Sequence, residues 1–82
     1  MAIPSHSLLM AAVDTLQLIE VRDGYDTARK ASDLMDALLT RNLAELNAMA
    51  ERRTRNEAKH CLCLLLRRDA RLAGIDLPCL RA

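Results

Sequence analysis

His60, Cys61, Cys63 and Cys79 carry the most reactive side chains in the second half of this 82-residue chain. Cysteine and histidine together suggest a zinc site, but the spacing is wrong for one. Residues two apart on a helix point about 200° away from each other, so Cys61 and Cys63 cannot grip one ion without unwinding the helix. Zinc-binding pairs are normally spaced Cys-x₂₋₄-Cys and matched by a second pair. Cysteines at 61 and 63 are expected to pack as small hydrophobes. Cys79, in the last few residues, is expected to be more exposed and able to cross-link on oxidation.

Nucleophilic catalysis needs a Cys or Ser beside a His that a third group orients. His60 and Cys61 are neighbours in sequence, and adjacent helical side chains diverge by about 100°. His6 lies close to the N-terminus. There is no Gly-rich phosphate loop, no G-x-S-x-G and no H-E-x-x-H. Asp33 and Asp36 sit three apart among polar neighbours and read as a solvated face. The sequence predicts no catalytic residue, no metal and no cofactor.

Charge is the other candidate chemistry. The net charge is +1, yet residues 1–50 hold four basic groups against seven acidic, and residues 51–82 hold eight against four. Opposite signs let two halves of a helical hairpin attract each other. The densest basic cluster is Arg52, Arg53, Arg55 and Lys59, continued by Arg67, Arg68 and Arg71. Such a cluster can bind an acidic groove on another protein. It can also bind nucleic acid through residues 52–71, although a sequence pI of about 7.8 is low for that class. No aromatic group near it can stack on bases.

These residues must be positioned by helices. Tyr25 is the only aromatic residue, and Leu, Ala, Met, Ile and Val recur at helical spacing from Leu8 to Leu72. The first helix is expected over about 5–22, with Ser5 or Ser7 as N-cap after Pro4. Gly24 ends it. The second helix runs over about 26–51, its stripe including Ala31, Leu34, Met35, Leu38, Leu39, Leu46 and Met49. Met35 and Met49 are read as core; Met10 could belong to an adaptable binding groove. Glu51 to Glu57 is polar throughout. It either continues one long helix or turns, and the turn is favoured because Thr54 and Glu57 match a capping box. The third helix covers about 55–73, Gly74 stops it, and 74–82 form a short tail in which Pro78 blocks further helix.

Cys61-Leu-Cys-Leu-Leu-Leu66 is apolar on every side of a helix, and such a helix is normally buried all round. Two neighbours in so short a chain do not easily enclose it, so either this helix lies between the other two or another molecule covers its outer side. The expected fold is therefore all-α: a single domain, 1–82, forming a small antiparallel bundle of one helix plus a long hairpin, dimerised through the third helix.

No secretory leader is expected from the first residues, and no stretch is long and apolar enough to span a membrane. An odd number of cysteines argues against a disulfide framework, so a cytoplasmic location is expected. Ten arginines against two lysines fit a GC-rich bacterial or phage gene. The leading expectation is a non-enzymatic regulator or sequestering adaptor that binds another protein. Leu62, Leu65 and Leu66 would be its apolar anchors, and Arg52, Arg53, Arg55 and Lys59 its basic rim. A nucleic-acid-binding regulator and a self-assembling structural module are the alternatives.

Overall fold

A serine hydroxyl opens the first helix. In the computed structural model, which describes residues 3–80, Ser5 accepts a hydrogen bond from the Leu8 N–H at 3.2 Å and caps α1, His6–Asp23. The cap takes up one of the N–H groups that a helix start leaves without a partner. Asn47, far away in sequence, holds the same point from both sides. Its Oδ1 accepts from the Ser5 N–H at 2.7 Å, and its Nδ2 donates to the Ile3 carbonyl at 3.0 Å.

Gly24 alone joins α1 to α2, Tyr25–Arg41. Its backbone, at φ 95° and ψ 169°, lies in a region only glycine occupies without strain. Gly24 is also the N-cap of α2, and no side chain caps that helix.

The expected 26–51 helix is broken in two. Asn42 departs to φ −122° and ψ 29°, and α3, Leu43–Glu51, follows at once. Arg41 Nε donates to the Asn42 side-chain oxygen at 3.3 Å. Short amides compete for local hydrogen bonds and so favour such departures from the helix. The bend brings Leu46 and Ala50 into the core that α1 and α4 share.

Residues 52–54 turn the chain, and α4 spans Arg55–Ala73. The capping box is formed in full: the Glu57 N–H donates to Thr54 Oγ1 at 3.2 Å, and the Thr54 N–H donates to Glu57 Oε1 at 3.0 Å. The Thr54 backbone N–H holds the Glu57 carboxyl below its usual range, and the Thr54 side chain adds to the effect. At the far end Gly74 is left-handed, with Gly74 N–H to the Arg71 carbonyl at 3.2 Å and Ile75 N–H to the Ala70 carbonyl at 2.9 Å. This is the Schellman pattern. The short tail that follows contains a 3₁₀ turn, Pro78–Leu80, and Leu77 and Leu80 are buried. Asp23 Oδ2 fastens it by accepting from the Cys79 N–H at 3.0 Å.

Among the described residues the fold is all-helical, and α1 packs against every other element. The radius of gyration, 11.8 Å, is what a compact domain of this length has. The core draws on Leu8 and Ile19 of α1, Met35 and Leu38 of α2, and Leu62 and Leu66 of α4. Between them lie Ala11, Ala12, Ala31, Ala50, Ala58 and Ala70, all buried. Small side chains let helix backbones approach closely, so the chain fills its interior without aromatic rings. Thr15 is the buried polar residue, and its hydroxyl donates to the Ala11 carbonyl at 2.9 Å.

This packing corrects the reading of the cysteine–leucine block. Leu62 and Leu66 are both 0% exposed, covered by their own chain. Cys61, Cys63 and Leu65 are half-buried, and Leu64 faces outward. The close-packed alanines and the folded-back 3₁₀ turn supply the cover that three simple helices lacked. The geometric reason for expecting a dimer through this helix falls away with that finding. Among the described residues no helix is long and apolar enough to cross a membrane.

Candidate protein-binding site

The start of α4 and the start of α1 lie side by side. Between them is a cavity of about 160 Å³, lined by His6, Ser7, Met10, Ala50, Arg53, Arg55 and Ala58. Met10, Ala50 and Ala58 give it an apolar floor, Arg53 and Arg55 a cationic wall, and His6 and Ser7 a polar edge. Arg52, the C-cap of α3, is exposed one residue before that wall.

Arg55 does two things at once. It lines the cavity and reaches across to α1, where Nη2 meets Asp14 Oδ1 at 2.7 Å and Nε meets Asp14 Oδ2. A forked pair of this kind fixes the guanidinium plane. The hydrogen bonds from Arg55 hold the Asp14 carboxyl below the usual carboxylate range. Lys59, half-buried one turn further along, adds a weaker pull on the same carboxylate. Arg52, Arg53 and Lys59 make no salt bridge among the described residues.

The expected basic rim of Arg52, Arg53, Arg55 and Lys59 is thus held together by the 52–54 turn and the first turns of α4. The expected anchors are not with it. Leu62 and Leu66 are core and unavailable to a partner, because their side chains already fill the space between α1 and α4. Leu65 is only partly accessible. The apolar residues beside the cations are instead Met10, Ala50 and Ala58. Sequence reasoning missed all but Met10, since the cavity joins residues more than forty positions apart.

The cysteines lie elsewhere. All three are free thiols, and each is half-buried, Cys79 included. Burial raises the Cys63 thiol pKa. Burial, with the Asp23 carboxylate beside it, pushes the Cys79 thiol up to about 11. Such thiols are poor nucleophiles at neutral pH. Among the described residues no three His, Cys, Asp or Glu side chains gather as metal ligands would. Two of the salt bridges cross between the halves of the chain, Asp14 to Arg55 and Arg41 to Asp69. They run in opposite senses, so a simple acidic-half to basic-half attraction does not describe them.

No family model, curated protein or solved structure matches the chain.

Proposed function

We propose that this chain is a non-enzymatic protein-binding module, an antiparallel helical platform that regulates or sequesters its partner by holding an acidic segment of it. The observation that carries the reading is the cavity between α1 and α4, apolar in its floor and cationic at its wall. An apolar side chain of the partner would fill the space over Met10, Ala50 and Ala58. Flanking carboxylates would meet Arg52, Arg53 and His6. Rim charges of this kind chiefly steer association, while the apolar contact sets the residence time.

A nucleic-acid reading uses the same arginines and is less well supported. Asp14 and Glu57 stand within the patch and offset its charge, and no aromatic side chain is near to stack on a base. The test uses synthetic peptides. A Leu- and Glu-rich peptide should bind the full chain, with affinity falling as salt rises. A Leu- and Lys-rich peptide should not bind. R53E should weaken the acidic complex mainly through its association rate. Retardation of duplex DNA at about 50 mM salt, with no peptide binding, would reverse the assignment.

A further inference from the structure

The chain places its one aromatic ring on its surface. Tyr25 is 65% exposed, although aromatic rings bury more apolar area than most side chains. It stands at the head of a groove between α1 and α2 whose other apolar lining is Val13, Leu16 and Ala28, with Gln17, Glu20, Arg29 and Ser32 as its polar lining. Leu9, Val13 and Leu16 follow the i, i+4, i+7 rule and share one face of α1. Leu9 and Val13 are 45% and 43% exposed. The result is an apolar strip with a ring at its end, the composition of a binding surface rather than of a solvated face.

The charges beside the strip identify what covers it. Glu20 stands on the α1 bank and Arg29 on the α2 bank. They lie four and five residues on either side of the Gly24 link, hence at the same end of the groove. Neither forms a salt bridge among the described residues. A partner of uniform sign would be attracted by one bank and repelled by the other. A second copy of this chain meets both. With a two-fold axis running along the groove, α1 of each copy lies over α2 of the other. Glu20 of each copy then faces Arg29 of its mate, and the Leu9–Val13 strip of each copy closes over the mate's α2, which Tyr25 heads. Two-fold contacts are self-complementary in just this way.

We infer that the α1–α2 groove is the homodimer interface, closed at one end by Tyr25 and keyed by reciprocal Glu20–Arg29 pairs. It is separate from the cavity beside α4 and uses a different neighbour of α1, so both sites remain usable together. Two helices of 18 and 17 residues offer a face of about 27 Å by 20 Å. That is about 1,100 Å² over both copies, at the lower edge of specific interfaces, where weak and transient association falls.

Sedimentation equilibrium of the full chain tests this, with circular dichroism confirming that each variant stays folded. Wild type should shift from monomer to dimer across the micromolar range. Tyr25→Ala should raise the dissociation constant by about 30-fold, as loss of an interfacial hot spot does. E20R alone and R29E alone should each be monomeric, since each sets like charges together twice. Mixing the two single variants should restore a mixed dimer, because every cross pair is then opposite in sign. A wild-type chain that stays monomeric to several hundred micromolar, or a dimer unaffected by Tyr25→Ala and by both reversals, overturns the inference.

Discussion

Arg55 and Asp14, forty-one residues apart, are joined by both a guanidinium Nε and an Nη2 contact, and this pair ties the first turn of α4 to the middle of α1. It sets the orientation of a cavity-wall arginine and locates the two helix starts that frame the cavity.

Acidification should loosen this frame. Asp14 is lowered by its Arg55 hydrogen bonds and Glu57 by the Thr54 cap. Asp69 is lowered by Arg41 and Arg68, which together outweigh the burial that opposes them. A carboxyl with a depressed folded-state pKa binds fewer protons folded than unfolded. Its contribution is complete above its unfolded pKa, near 4, and is lost as pH falls through the folded value. Urea midpoints should be flat from pH 7 to about pH 5 and fall below about pH 4, and Asp14→Asn should flatten part of that fall. A midpoint that rises on acidification would contradict this. Exposed pairs are salt-screened, so high salt should shrink the effect.

Gly24→Ala should destabilise the fold by about 1–3 kcal/mol through backbone strain alone. An added Cβ would meet no atom within 4 Å, but φ is 95°. Chemical denaturation measures the loss. A D-alanine at the same position should recover most of it, because its preferred φ is positive.

Leu62→Ala should cost about 2–5 kcal/mol in the isolated chain, since that side chain is part of its own core. Leu64→Ala, on the outward side of the same helix, should cost less than about 1 kcal/mol. Equal and small losses at both positions would mean that α4 is not enclosed as described.

Asn47→Ala should free the segment before α1. It removes the bonds to Ser5 and Ile3, each worth about 1 kcal/mol. Limited proteolysis should then cut near residues 3–8 of the variant first, and acidic-peptide binding should weaken because His6 and Met10 lose their fixed position.

Local signals were legible in the sequence wherever a few neighbouring residues decide the geometry. Ser5 capping α1, the Thr54–Glu57 box and the Gly74 stop all depend on side chains within one turn. The break at Asn42 was hidden because the apolar stripe continues across it. The burial of Leu62 and Leu66 was misjudged from the circumference of α4 alone. What hides them is distributed over alanines on four helices and a 3₁₀ turn that the sequence presents as a loose tail. The basic half of the site could be read from residues 52–59, which are contiguous. Its floor could not, because Met10 meets Ala50 and Ala58 only after folding.

The most direct measurement is a residue-resolved NMR titration of the full chain with the Leu- and Glu-rich peptide. The account predicts saturable shifts concentrated at His6, Met10, Ala50, Arg53 and Ala58, with Leu62 and Leu66 little changed. Shifts centred on the outer side of α4 around Leu64, or none at all in low salt, would contradict it.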